Sequence, residues 1–448
     1  MKTNGNFFNY LWLFAITIFA STSLQTWVPG YDWYDQQRLG LLFLFLFTCP
    51  FAVYKPPSFR PRTILLLGLF FCLGTASCAS AKFPIWAFRE WSTFAALLLT
   101  ALSTSGAGRN QKTQDISFWL MAACGGISAA MFFIYYIIAL VVQIAPLDPY
   151  LLVYGFDNPR FLGQFQVLLI PVLLGLFIKH RSCRLLSIAL FTILTLHWCI
   201  AWSIAGRGVL LATSMSCFSL IILNRNSFTR TVVTHAAAML SGLFLFLVAF
   251  ILIPALLDIS QRTYESLRLG LSSRDSIWLL SWNIMATHPW LGAGPLHFAA
   301  ERNNIAAHPH QIVLQLLAEW GIPATISAIL VIFYGLKKAS LSVKSRPEPM
   351  DAALWAALSG GILLAQVDGV LVTPYSQGWL AILCGIAISR WTESNGRNSL
   401  MKFFISLLLL PTLLVCGNVV IHLVGLEEFS QSHKQSSPPR YWGSGWIP

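Results

Sequence analysis

The sequence predicts an all-α, polytopic integral membrane protein with about 12–13 transmembrane helices. Three observations predict it. Only 10% of the 448 residues are charged and 56% are hydrophobic, whereas an ordinary soluble protein is about 25% charged. The mean hydropathy is +0.66. Apolar runs near the length that crosses a bilayer, about 20 residues, recur along the chain. A soluble fold of this size needs far more polar surface to cover its core. Composition therefore excludes an ordinary soluble enzyme, and also a disordered or collagen-like chain. The +12 net charge comes from 29 Lys+Arg against 17 Asp+Glu. In a soluble protein it would suggest nucleic acid. Here no nucleic-acid partner is expected, and the surplus becomes a question of sidedness.

Taken in order, the spans fall at 7–27, 39–54, 63–81, 88–104, 116–144, 161–178, 185–203, 208–223, 236–254, 312–336, 352–371, 378–389 and 403–424. The first follows Lys2. Its apolar stretch, Phe7 to Val28, is too long for a typical signal-peptide core and reads as a retained span, although Ala20-Ser21-Thr22 looks loosely cleavable. The shortest spans are 39–54 and 378–389. Almost all of the nine cysteines lie inside apolar runs without CxxC spacing, so they read as small buried hydrophobes. No zinc site, disulfide framework or cofactor is expected.

Loop charges set the orientation. With the N-terminus cytoplasmic, 18 Lys/Arg fall inside and 11 outside, the sense of the positive-inside rule. Only two of the eleven outer cations, Lys82 and Lys434, are lysine. Six arginines, from Arg160 to Arg302, sit in three outer segments. Arginine suits forked recognition of phosphate; the alternative for any one of them is headgroup contact.

The chain thus divides into four parts. Residues 1–254 carry nine spans and an Arg-Gly loop, and 255–311 form one long outer loop with short helices. Residues 312–424 carry the C-terminal spans, and 425–448 form a polar outer tail, expected to be mobile. Within the long loop, Ser276 to Ala286 has helical spacing, with Asp275 or Ser273 as its cap. A turn follows at His288 to Pro295. Its Gly292-Ala293-Gly294 lacks the GxGxxG spacing of a nucleotide loop. His308 and His310 would share one face of an extended segment, so a metal is conceivable, but Glu301 and Glu319 are not at ligand spacing. The stronger reading is a neutral imidazole acting as a base. The alternative, a histidine that hydrogen-bonds its own loop, weighs more for His308 than for His310.

Four motifs then resemble the O-antigen ligase, O-antigen polymerase and bacterial O-oligosaccharyltransferase superfamily. His310-Gln311 is followed by nine residues, Gly321, two residues and Ala324. His308-Pro309-His310-Gln311 resembles the HPHN element of the O-oligosaccharyltransferases, with Gln311 in place of the commoner Asn and Ala324 in place of a second Gly. Ala205-Gly206-Arg207-Gly208 matches an Arg-Gly pair. Arg274, Trp278 and the Pro289…Gly294 turn match a second arginine and a P-x-x-G-x-G element. Less diagnostic is Asn158 to Gln164, with Arg160.

The resemblance implies a GT-C-like, metal-independent, inverting glycosyltransferase in the bacterial inner membrane, with its site facing the periplasm. The implied donor is a glycan on undecaprenyl pyrophosphate, held by Arg207, Gly208, Arg274 and Arg160. His310 would be the base, and His308 and Gln311 would border the substrate. Glu319 is a candidate neighbour, or a partly buried carboxylate paired with an arginine. The implied acceptor is lipid A-core for a ligase; the alternatives are a pilin-type protein, or a growing glycan for a polymerase. Membrane lipids are partners in each case. A transporter of a lipid-linked sugar is the rival from another class, but the chain shows no internal repeat and its candidate charges cluster in outer loops.

Overall fold

The apolar runs fold as helices. The computed structural model describes residues 3–54, 56–260, 274–303, 305–393, 399–422, 440–442 and 446–447, and contains no strand among them. Fourteen α-helices follow in order: α1 Thr3–Ser21, α2 Trp33–Thr48, α3 Pro61–Ser80, α4 Pro84–Ala107, α5 Gln111–Val141, α6 Pro159–Lys179 and α7 Arg184–Ser203. Then come α8 Arg207–Leu247, α9 Ile253–Leu256, α10 Arg274–Thr287, α11 Ile312–Ser345, α12 Pro349–Leu364, α13 Pro374–Trp391 and α14 Ser399–His422. Their starts follow local chemistry. Five begin on proline, at Pro61, Pro84, Pro159, Pro349 and Pro374, where the missing N–H costs nothing. Asn110 and Asn158 cap α5 and α6 through their side chains.

Eight helices among the described residues are long and apolar enough to cross a membrane, and Phe7–Ser21 and Pro349–Leu364 are apolar but shorter. The protein is a multi-pass membrane protein. Every expected span falls on a helix. The spans 208–223 and 236–254 share α8, which breaks at Asn224 (φ −158°, ψ 92°). α4 and α13 are more polar than the eight, and they bury Glu90, Thr93 and Thr100, and Ser376 and Gln377. Some ends differ: the expected span 7–27 stops at Ser21, 39–54 passes from α2 into a 3-10 turn at Cys49–Val53, and 352–371 stops at Leu364, with Gln366 to Thr373 forming a loop.

α6 is the centre of the bundle. It packs against α5, α7, α8, α12 and α13, and 83% of its apolar window is buried, against 22% for the α8 segment Arg207–Leu256. At the bundle end away from His310, Arg390 of α13 binds Asp351 of α12 at 2.5 Å and Glu348 at 2.6 Å. At the His310 end, Gln37 of α2 donates to the Gly155 carbonyl at 2.8 Å, and Asp157 accepts from the Trp33 N–H at 3.2 Å.

The end of the chain departs from the expected mobile tail. Arg440, Tyr441 and Trp442 are buried, against Glu319, Arg38 and Thr93. Residues 423–439 lie outside the described residues. So do 261–273, which include Arg262, Arg268 and the Ser273 cap candidate; Asp275 is in the first turn of α10.

Candidate active site

The frame of the site is a broken helix. α11 starts at Ile312, with Gln311 as its cap accepting from the Leu314 N–H. Gly321 interrupts it with φ 81° and ψ 170°. The break frees backbone groups, and the Pro289–Gly294 turn takes them. Ala293 N–H donates to the Ala318 carbonyl at 2.9 Å, Gly294 N–H to that of Glu319 at 3.0 Å, and Ile322 N–H to that of Pro289 at 2.8 Å. The fit leaves no room for side chains. A Cβ on Gly321 would lie 2.4 Å from the Trp290 oxygen, and one on Gly292 (φ 70°) 2.4 Å from the Glu319 carbonyl carbon. The P-x-x-G-x-G turn and the Gly321 motif are thus two halves of one latch, and Ala324 is fully buried behind it.

The latch delivers the histidine segment. Trp278 Nε1 of α10 donates to the Pro309 carbonyl at 3.0 Å. His310 N–H donates to His308 Nδ1 at 3.2 Å, and the two ring centroids are 4.1 Å apart. His308 is buried and packs on Gly369. It acts as the acceptor for its own loop, in line with the alternative reading of this residue. Burial, then the His310 charge, holds its pKa well below the usual imidazole range.

His310 itself has φ 54° and a half-buried ring. Its Nδ1 lies 3.9 Å from Asp368 Oδ1. Asp368 is fixed in turn: Oδ1 accepts from Gln164 Nε2 of α6 at 2.9 Å and from the Gly369 N–H at 2.7 Å. Burial pushes the His310 pKa down. Asp368 opposes the shift, while Arg160 and Arg274 add to it. The imidazole is therefore neutral near pH 7.

Three arginines converge from three helix starts. Arg160 is in the first turn of α6, Arg207 is the first residue of α8, and Arg274 is the first of α10. Ala205, at φ 54°, turns the chain from α7 into α8. Arg160 and Arg207 are exposed and Arg274 is half-buried. Burial lowers the Arg274 pKa; Asp368 raises it, and Arg160 and Arg207 lower it further. Three neighbouring cations, each at a helix N-terminus and with one carboxylate beside Arg274, form a field suited to an anion.

All seven residues read from the sequence thus lie in or beside this cluster, but two have other work. Gly208 does not open the backbone to a ligand. A Cβ there would sit 3.0 Å from Leu364 Cδ1 and 3.4 Å from Val367 Cγ2, so it packs α8 against the end of α12 and brings Arg207 beside the Asp368 loop. Gln311 spends its amide on the α11 cap and on Gln366, 3.2 Å away. Glu319 is paired with an arginine, as its alternative reading has it, but it is fully buried and the arginine is Arg440. Asp368 is the residue that sequence reasoning missed, whereas Gln164, which holds it, lies in the Asn158 to Gln164 motif but had no role there. Asp368 was absorbed into the span 352–371, although an Asp-Gly pair in an apolar run is a turn signal.

Fold and cluster together define a polytopic membrane protein with a cationic, histidine-bearing cluster. Residues 163–329 match a family model described as O-antigen ligase, which supports the superfamily resemblance over that segment. The matched segment contains Arg207, Gly208, Arg274, His308, His310 and Gln311; Arg160 and Asp368 lie outside it. No curated protein matches the chain.

Proposed function

We propose that this protein transfers an O-antigen-type glycan from undecaprenyl pyrophosphate to an acceptor hydroxyl at the periplasmic face of the inner membrane, with lipid A-core as acceptor. The observation that carries the reading is that Arg160 and Arg274 act on a neutral His310 beside Asp368, with Arg207 close enough to act on Arg274. The arginines grip the pyrophosphate through charge-assisted, forked bonds and stabilise the charge that develops as it departs. His310 Nδ1 faces Asp368, which leaves Nε2 for the acceptor. The acceptor oxygen gives its proton to Nε2 and bonds to the anomeric carbon. The bond from that carbon to the pyrophosphate breaks with inversion, and the electron pair leaves on the lipid diphosphate. Asp368 stabilises the imidazolium formed. Each of these steps is supplied by side chains, so the reading involves no metal.

The cation distribution supports the sidedness. The His308-Pro309-His310-Gln311 run keeps a pilin-type acceptor in view, and a growing glycan is the third acceptor. Purified chain, donor and each acceptor decide between them. Arg207→Ala, Arg274→Ala and His310→Ala are expected to abolish transfer while the protein still reaches the membrane; full activity in His310→Ala removes the base assignment. Arg274→Lys is expected to lose most activity, and wild-type rates there would reduce the forked grip to simple charge. Vectorial movement of donor without product would replace the transferase reading with transport.

A further inference from the structure

The chain ends far in sequence from the site but against its frame. Arg440 is 1% exposed. Its Nη2 lies 3.0 Å and 3.3 Å from the two carboxylate oxygens of Glu319, and 3.5 Å from Oε1 of Glu90. The neighbours seat the same segment. The Tyr441 hydroxyl donates to the Arg38 carbonyl at 3.2 Å, and Trp442 Nε1 to Thr93 Oγ1 at 2.9 Å. Further on, Ile447 N–H donates to the Ala299 carbonyl at 3.3 Å, and the Arg302 guanidinium stands 5.5 Å over Trp446.

Glu319 is where this anchor meets the latch. Its Oε1 accepts from the Phe298 N–H at 3.2 Å and its Oε2 from Gln315 Nε2 at 3.3 Å. Its carbonyl accepts from the Gly294 N–H at 3.0 Å and from Ser77 Oγ at 3.2 Å. One residue thus ties 294–298, α3 and the first half of α11 together, and α11 begins two residues after His310. A buried carboxylate holds such bonds only when its charge is balanced. Without Arg440, Glu319 would lose its ion-pair partner with the Glu90 carboxylate still close, and protonation or entering water would release the Phe298 and Gln315 bonds.

We propose that Arg440 is a positioning residue for glycan transfer: the buried Arg440–Glu319 pair, supplied by the end of the chain, sets the latch that places the His308–His310 segment. The inference rests on the transfer reading above. It also explains why Arg440, an outer arginine in the sequence reading, is buried against Glu319 and Glu90. The charge of Arg440 reaches His308, where it adds to the downward shift.

The test uses the full chain, purified, with undecaprenyl-pyrophosphate-linked glycan and the acceptor that the wild type uses. Turnover is expressed per mole of folded, monodisperse protein. Arg440→Gln is expected to lower kcat about tenfold or more with donor KM nearly unchanged, because the phosphate-facing arginines are untouched. Arg440→Lys keeps the charge without the fork and is expected to fall between. Glu319→Gln/Arg440→Gln removes both charges and leaves amides to hold the Phe298 N–H, so most turnover should return. Wild-type kcat in folded Arg440→Gln, or a loss confined to KM or to the yield of folded protein, overturns the proposal. So does a double variant as impaired as the single one. If Arg440→Gln does not fold, Arg440→Lys decides: lowered kcat at unchanged KM supports positioning, and wild-type kcat overturns it. A wild-type chain that transfers to no acceptor defeats the transfer reading, whereas active wild type with unaffected variants defeats only this one.

Discussion

At the scale of single residues, the charge state of His310 decides what the site can do. Burial disfavours imidazolium, Arg160 and Arg274 disfavour it further, and Asp368 at 3.9 Å favours it. The net pKa lies below the ordinary imidazole value of about 6.5, so the ring is a ready base at neutral pH. A base works unprotonated. On the proposed transfer reading, activity is expected above the lowered pKa and should be lost as pH falls through it, with the acid limb of the pH–rate profile below about pH 6.5. Asp368→Asn sharpens the expectation. Removing the carboxylate destabilises imidazolium, so the His310 pKa falls further and the acid limb moves to lower pH. The maximal rate drops roughly tenfold or more, because the imidazolium formed during transfer has lost its partner. A pH–rate profile of Asp368→Asn checks both effects. A limb that stays in place, or moves to higher pH, excludes Asp368 as the partner of His310.

At the scale of elements, α11 does two jobs on either side of Gly321. Its first half presents the histidine segment, and its second half crosses the bilayer. The break leaves the Ala318 and Glu319 carbonyls and the Ile322 N–H without helical partners, and the Pro289–Gly294 turn takes all three. Two glycines on this helix separate the break from ordinary helix propensity. Gly321 has φ 81° and a carbonyl oxygen 2.4 Å from where a Cβ would be, whereas Gly335 has open space. Gly321→Ala is expected to destabilise by about 2 kcal/mol or more, through left-handed backbone strain and the clash. Gly335→Ala is expected to be neutral or to stabilise by about 0.5–1 kcal/mol. Thermal unfolding in detergent ranks the two; equal midpoints would mean the latch is not tight. Sequence made Gly321 visible as a motif position but not as a kink. The turn that occupies the kink begins some thirty residues earlier, and nothing local pairs Ala293 with Ala318. Helix starts were more legible, because a proline at the first position or an asparagine before it acts within its own turn.

At the scale of the whole molecule, the +12 surplus separates into two ends of one bundle. Spans were legible because apolar length is a property of the segment alone, and the arginine positions were legible because outer arginines run against the orientation signal. Pairings between distant segments were not. Arg440 meets Glu319 across 121 residues of sequence, and neither residue carries a local sign of the other. The arginine cluster also differs from the paired cations, which occur at both ends: at the His310 end, Arg38 pairs with Asp35 and Arg440 with Glu319. Away from His310, Lys179 and Arg390 are tied to Asp115, Asp351 and Glu348. In the cluster, Arg160 and Arg207 both act on Arg274, which Asp368 partly offsets. Paired cations are balanced where they stand, whereas crowded ones hold an electrostatic cost that an anionic ligand relieves. The positive-inside rule assigns the end away from His310 to the cytoplasm, and this assignment can be tested without any substrate. Glu301 and Ser345 are exposed at opposite ends of the molecule. In a background where the exposed Cys72 and Cys183 are replaced by serine, a bilayer-impermeant maleimide applied to intact spheroplasts is expected to label Glu301→Cys. Ser345→Cys should label only after the membrane is opened. The reverse pattern would turn the arginine cluster toward the cytoplasm and remove the periplasmic site, whatever the chemistry of His310.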